Sequence, residues 1–512
     1  MGIVRDQSVK NSVYFYFGLF FGALSTIIFY PNAFNAHPEH LGLLQIIVAY
    51  SIIVSTSSSF GAPKMLIRFF PKVKNNNQLV TLSFLIPTIG FLFMCLFYFL
   101  FKDSILDFFR PSDADFDIAQ DFRAEMSTYN LLSKNFHLIF LLVAFLSFFE
   151  VLSSLSRCLL KATIPIFLRE IFLKGMTIFL LFLHWFFPSF MSFQLFLHLY
   201  ILLYLLMTLF LCWTIFRGFS YSFTLRFNDI QIRKMIIFGI YVFIGGSSAI
   251  FVSKIDMMMI QSILGFKEVA FYTVAFFIGN VIRIPGRAVG AIASPLLAKA
   301  LEKRNQKEIK DIYVKSAINQ LVLGGLIFLV VWLNITDGFN LLPEKFRNGE
   351  IVVLFIALSQ LFNISTGVNG IIIVNSKYYR FDLYANVILA GLTLYTNWIF
   401  IPMYGINGAA FATALSLLIF NLMKMIFVYV KMGIHPFTNQ TIKAIFLISL
   451  CYFLIENIPL INNVDSEISI SIVNCLIRCS LVVILYLPLL IWMKISEDIN
   501  QMLIEMKKRY LN

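Results

Sequence analysis

Apolar runs of about 20 residues recur from one end of this 512-residue chain to the other. Each is long enough to cross a hydrocarbon core of about 30 Å as a helix. Fourteen such runs are read: 11–31, 42–63, 79–101, 136–156, 171–188, 192–216, 235–253, 269–298, 313–334, 350–374, 383–402, 406–430, 438–458 and 468–493. The longest connection, 102–135, holds only 34 residues, so no water-soluble domain is left over. The composition agrees: 59% hydrophobic and 13% charged, against about 25% charged in soluble domains. The fold class is all-α and polytopic.

The first run starts close behind Arg5 and Lys10, and no small-residue cleavage site follows it before the polar loop at 32–41. It reads as a retained span. The six cysteines stand at no metal-like spacing and read as apolar fillers. A net charge of +13 raises nucleic acid as a partner, but its distribution argues against that. With both termini in the cytoplasm, the cytoplasmic segments and adjoining span ends hold 27 Lys and Arg, the outside loops 8, and the span interiors five. That bias is the positive-inside signal. It makes anionic lipid headgroups the neighbours of the basic loops. The largest outside loop is acidic, with Asp103, Asp107, Asp113, Asp115, Asp117, Asp121 and Glu125.

A weak internal repeat runs through the chain. "EHLGLLQIIVAYSIIVSTSSSFGAPKMLIRFFPKVKNNNQ" in the first half and "KEVAFYTVAFFIGNVIRIPGRAVGAIASPLLAKALEKRNQK" in the second share a plan. Each has an acidic residue at its start (Glu39, Glu268), has a small and polar middle, carries a Pro (Pro63, Pro295) and ends in a basic loop. The organisation read from this is an N-terminal lobe at 1–216 (spans 1–6) and a cytoplasmic linker at 217–234. A C-terminal lobe at 235–430 (spans 7–12) follows, then spans 13–14 and a tail at 431–512. Parallel six-span halves are a transporter plan, with the substrate path between them.

The second-half segment, with "KIDMMMIQSILGFKEVAFY" ahead of it, resembles the seventh and eighth spans of polysaccharide flippases. These belong to the MOP superfamily, which also holds the MATE exporters and the lipid II flippase. The matching features are Ile255-Asp256, Leu264-Gly265, Tyr272 and the Pro before the basic loop; "IPMYGINGAAFATALS" at 401–416 is the most specific stretch. The resemblance is sharp over 235–430 and diffuse before it. It implies two pseudo-symmetric six-helix lobes plus two C-terminal helices around a central cavity. It also implies alternating access and a polyprenyl-pyrophosphate-linked oligosaccharide as cargo.

The eighth span carries the polar residues that most need a reason. Thr273, Asn280, Arg287 and Ser294 are seven apart and share a helix face, with Arg283 on the same stripe. At 1.5 Å per residue, Arg283 lies roughly 21 Å from Val269, near mid-membrane, where an arginine costs about 2.5–3.5 kcal/mol on insertion scales. Two readings stand side by side: snorkelling or an internal salt bridge, and bidentate anion binding by the guanidinium forks. Pro285 frees the carbonyl of Val281 and, with Gly286 and Gly290, predicts a kink.

Other polar positions carry paired readings too. Glu150 is an ion-pair partner, for an arginine such as Arg283, or a protonatable coupling site for proton or sodium. Lys254 and Asp256 read as an interfacial ion pair at an outer gate. Ser55 and Ser58, in "STSSSFG", offer hydroxyls to a cavity or small surfaces to helix packing. Asn363 and Asn369, in "FNISTGVNG", are sugar-donor candidates on the same terms. Glu170 and Lys174 have the spacing of a local pair. Lys424 reads as snorkelling, and Arg478 as lining a lipid groove or touching another helix. Gly405 and Gly408 read as a tight turn.

No Walker motif, metal-like His spacing or cofactor signature is present. The leading reading is a monomeric flippase for lipid-linked oligosaccharide in the bacterial cytoplasmic membrane, serving surface polysaccharide synthesis. A MATE-like cation-coupled exporter is the first alternative, although the deepest cavity candidates here are cationic. A membrane-embedded polysaccharide polymerase or ligase is the second, but the outside loop at 102–135 is modest for a catalytic one.

Overall fold

In the computed structural model, residues 2–73, 76–110, 119–224, 232–458 and 467–501 are described. Part of the acidic outside loop, part of the 217–234 linker and the C-terminal tail lie outside them. The described residues are helical throughout, in two compact units, Met1–Thr273 and Val274–Asn512.

The first unit holds α1 (Gly2–Ala23, continued by a π-turn at Leu24–Phe29 and by Tyr30–Ala33) and α2 (Pro38–Ser59). It continues with α3 (Ala62–Phe69), α4 (Asn76–Phe108), α5 (Ala119–Asn135) and α6 (His137–Cys158). Thr163–Phe167 and a π-turn at Leu168–Leu173 lead into α7 (Lys174–Phe186); α8 (Phe193–Phe216) and α9 (Ile232–Leu264) complete it. Helix α2 packs against α4, α6 and α9. Small residues let the backbones close. A Cβ on Gly90 would stand 2.2 Å from the carbonyl oxygen of Ser58, and one on Gly42 would stand 1.8 Å from that of Phe266. Hydrocarbon solvent gives no hydrophobic drive for helix association, so such close fits supply it by dispersion.

The eighth span, α10 (Phe266–Asn280) with α11 (Ile284–Glu302), runs from the first unit into the second. Then come α12 (Gln306–Leu333), α13 (Ile335–Asn340), α14 (Glu350–Ser365) and α15 (Asn369–Asn375). The chain ends on α16 (Tyr379–Met432), α17 (Asn439–Glu456) and α18 (Ile468–Trp492). Helix α12 is the post of this unit, packed by α11, α14, α17 and α18. Its Leu321 and Leu329 are buried with Leu447, Cys451 and Val482, and Tyr486 Oη donates to the Val322 carbonyl at 2.8 Å.

Straight, the 54 residues of α16 would span about 81 Å. They do not run straight. Thr396 and Ser416, which a straight helix would hold about 30 Å apart, have hydroxyls 3.0 Å apart. The rings of Phe400 and Phe411 are 4.9 Å apart. The chain reverses at Gly405 (φ 59°, ψ −139°), a conformation that suits a residue without Cβ. Gly408 follows so close that a Cβ would lie 1.9 Å from the Phe400 carbonyl oxygen. The turn read at "YGING" is there.

Ten helices among the described residues are long and apolar enough to cross a membrane, or twelve with two bent pairs counted as single spans. One pair is the two halves of α9, bent by 42° near residue 249; the other is α14 with α15, bent by 51°. The protein is a multi-pass, all-helical membrane protein.

Candidate functional site

The eighth span breaks where the polar stripe lies. Between α10 and α11, Val281–Arg283 form a 3₁₀ turn. The sequence places the kink at Pro285; the break falls one turn earlier, because a proline's missing N–H releases the turn before it. The Val281 carbonyl is not left open, since the Ile284 N–H donates to it. Pro285 sits in the first turn of α11, where it costs no hydrogen bond.

One face of this broken span packs and the adjacent face does not. Ile282 joins the core around α12 and α14, and Leu297 and Ala300 join the second core of the unit. A Cβ on Gly279 would meet Ile356 at 2.9 Å, and one on Gly286 would meet Ile364 at 3.0 Å. Arg283 and Arg287, one turn apart, are exposed on this unit.

Of the five cations that the sequence puts inside spans, three are paired. Lys174 binds Glu170 at 2.7 Å, the local pair expected, and also donates to the Gly18 carbonyl. Arg478 binds Asp337 of α13 at 2.6 Å, so it touches another helix. Lys424 is a correction: instead of snorkelling it is buried, 2.7 Å from Asp382 and over the Phe420 ring. Asp382 holds it there, with Asn386 donating to the second carboxylate oxygen at 3.1 Å. Arg283 and Arg287 have no carboxylate or hydrogen-bond partner among the described residues. Like charges at this spacing repel, and no described carboxylate offsets the two.

Buried amides lie beside the break. Gln320 of α12 is 2% exposed, and its Oε1 would be 3.3 Å from a Cβ on Gly286. The Asn280 side-chain oxygen is buried and has no hydrogen-bond partner among the described residues. The second broken span of this unit packs alongside. Its bend lies at Thr366–Val368, where Gly367 takes φ 65°. Asn363 donates to Gln360 at 3.2 Å, and Asn369, which is buried, donates to Thr366 at 3.2 Å. Gln320 was not singled out from the sequence. Its place inside the ninth span, directly after Asn319 and one turn after Ser316, was the available signal.

The remaining positions lie elsewhere. Ser55 and Ser58 are buried where α2 meets α6. Ser58 bonds Ser147 at 3.1 Å and the Ser55 carbonyl at 3.0 Å, while Ser55 bonds the Ile52 carbonyl at 3.0 Å. Their hydroxyls are spent on helix packing and helix backbone. Glu150 pairs with Arg169, whose guanidinium also lies over the Phe149 ring; Arg283 is not its partner. Lys254 and Asp256 are two apart on α9 and so point to different faces. Asp256 is buried and accepts from Tyr272 Oη at 2.9 Å, and Lys254 is half-buried.

Residues 243–399 match the MatE family. A search of curated proteins finds no match in sequence. Among solved structures, the lipid II flippase MurJ in its inward closed conformation superposes with a TM-score of 0.73 at 13% identity, over 93% of this chain and 98% of that one. An inward-facing multidrug resistance MATE transporter of the MOP superfamily gives 0.62 at 13% identity, over 80% and 94%. A MOP superfamily transporter from Pyrococcus furiosus, described with a binding pocket of reversed polarity, gives 0.55 at 14%, over 83% and 95%. The fold of this membrane protein is the one these MOP superfamily and flippase structures share, and the MatE match falls within it at residues 243–399. The solved structures it superposes on are transporters, so the fold lends no support to the polymerase and ligase readings.

Proposed function

We propose that this protein is a flippase for a polyprenyl-pyrophosphate-linked oligosaccharide. It moves the cargo from the inner to the outer leaflet of the bacterial cytoplasmic membrane by alternating access, for surface polysaccharide synthesis. The observation that carries the reading is the pair Arg283 and Arg287: intramembrane, one turn apart, exposed, and without a described counter-ion. A pyrophosphate in transit would satisfy both forks and stand near the N-terminal turn of α11, which favours anions. Asn280, Gln320 and Asn363 supply amides of the kind that bond sugar hydroxyls. The lipid-linked cargo of a protein with this fold supports the class of substrate.

The same reading takes fourteen spans with both termini in the cytoplasm. Counting the two helices of the α16 hairpin separately, the bent pairs singly and Thr163–Phe186 as one span supports that number. It takes Glu150 as the coupling carboxylate for proton or sodium, opened from Arg169 during the cycle, and Lys254 and Asp256 as part of an outer gate. The working unit is a monomer, with membrane lipids as its other partners.

A cation-coupled exporter of the MATE kind is the second reading, favoured by the MatE segment at 243–399. The test is a deletion strain. Lipid-linked oligosaccharide should accumulate in the inner leaflet and return to normal on expression of this chain. Normal cargo distribution together with raised sensitivity to cationic drugs would instead establish the exporter.

A further inference from the structure

Lys64 stands just past the second span as the sequence reads it, at 42–63, where it belongs to the cytoplasmic side. The structure turns its side chain the other way. Lys64 is part of α3, and the corner from α2 into α3 is seated on the inner part of α9. A Cβ on Gly61 would lie 2.8 Å from the Gly239 carbonyl oxygen, the Phe60 ring stacks on Phe243 at 4.9 Å, and the Arg68 guanidinium lies over Phe238 at 4.2 Å. The Lys64 ammonium reaches further, to 3.4 Å from where a Cβ on Gly246 would stand. Gly246 is seven residues beyond Gly239 and 11 residues from the inner edge of the seventh span at 235. That is about 16 Å of helix, half of a hydrocarbon core of about 30 Å.

A lysine at a span end ordinarily snorkels, its stem carrying the charge back to the headgroups, because an ammonium inside the hydrocarbon is costly. Lys64 points against that gradient. It is exposed, so it faces an opening and not packed protein. Its side chain has no carboxylate or hydrogen-bond partner among the described residues. Gly245–Ser248 beside it are small and half-buried, and leave room in front of the charge. An unpaired cation at this depth calls for an anion, and the depth says which. Phospholipid phosphates stay at the edge of the core. Only an anion carried through the bilayer reaches its middle. Lysine is a compact point charge with three rotatable donors, which suits a phosphate in motion.

We infer that Lys64 is a contact for the pyrophosphate of the cargo, in addition to the arginine pair. The inference rests on the reading of the cargo as pyrophosphate-linked. Full-length protein in phosphatidylcholine nanodiscs is reductively methylated with 13C-formaldehyde, and the Lys64 dimethylammonium signal is assigned by its loss in Lys64→Arg. Polyprenyl pyrophosphate is then added, and a parallel arm adds phosphatidylglycerol at equal mole fraction. The Lys64 signal should shift with polyprenyl pyrophosphate and stay in place with phosphatidylglycerol. Lys64→Gln should weaken binding of polyprenyl pyrophosphate about tenfold to a hundredfold, the range of a hydrogen bond to a charged group. Lys64→Arg, which keeps the charge, should lose much less. No shift with polyprenyl pyrophosphate, an equal shift with phosphatidylglycerol, or unchanged binding by Lys64→Gln overturns the inference. The wild-type signal decides alone if Lys64→Gln does not fold. Oligosaccharide transport by the wild-type chain is measured in the deletion strain. Transport without a Lys64 shift sinks this contact and leaves the flippase standing; a shift without transport does the reverse.

Discussion

Lys424→Met should destabilise the protein more than replacing the whole ion pair does. Lys424 is 7% exposed as a residue, and its ammonium reaches Asp382 Oδ1 at 2.7 Å. Without it, the Asp382 carboxylate keeps, among the described residues, its contact with Asn386 at 3.1 Å. Breaking a buried pair by removing one partner costs about 3–5 kcal/mol, because an uncompensated charge stays buried. The Asp382 side chain is 25% exposed, which lets some solvent reach it. The expected loss is therefore at the lower end, about 3 kcal/mol. The double variant Lys424→Met/Asp382→Asn removes both charges and should recover most of this, leaving about 1 kcal/mol. Reversible unfolding in mixed micelles, run as a double-mutant cycle, measures the coupling, expected above about 2 kcal/mol because Asp382→Asn alone also costs stability by leaving Lys424 buried and unpaired. Additive single effects of under about 0.5 kcal/mol each would refute the reasoning and return Lys424 to a snorkelling role.

Arg283→Gln and Arg287→Gln should each weaken cargo binding by roughly 1.5–3 kcal/mol, about tenfold to more than a hundredfold, with Arg283 the larger. Lys at either site should rescue in part, and normal transport by both well-expressed Gln variants would make the pair structural. Glu150→Gln should change the dependence of transport on proton or sodium gradients; wild-type dependence would remove Glu150 from coupling. Gly405→Ala forces a Cβ onto φ 59° and should cost about 1–3 kcal/mol, read as a lowered melting temperature. Cysteines placed in 102–135 should react with an impermeant reagent in intact cells, and labelling only after lysis would invert the topology.

Spans were legible because hydropathy is a local property that the bilayer enforces on each segment separately. The reversal at Gly405 was legible for a related reason: a glycine between two apolar runs has one economical conformation to offer. The local pair Glu170–Lys174 was legible from its spacing, but charge partners between spans were not, since pairing there depends on which spans become neighbours. Asp337 falls in the 335–349 connection, which reads as an outside loop, yet it is buried in α13 against Arg478. Asp382 and Lys424 left a clue that went unused: they lie 23 residues before and 19 after Gly405, nearly level once the hairpin closes. The serines of "STSSSFG" illustrate the opposite limit. Their composition fits a cavity and a helix contact equally, and only the neighbouring Ser147 separates the two.

The α16 hairpin is fastened at both ends. Gly405 closes one end, and the contact of Lys424 with Asp382 closes the other, beside Phe381 stacked on Phe427 at 3.7 Å. About 30 Å of helix lies between the two fastenings. Two rods joined at only one end can slide or splay; joined at both, they behave as a single strut. A shift of one helical turn between them would tear the ion pair and the stacked rings together. The eleventh and twelfth spans therefore transmit force as one rigid beam, and any flexing that transport demands must be found in the broken spans beside them.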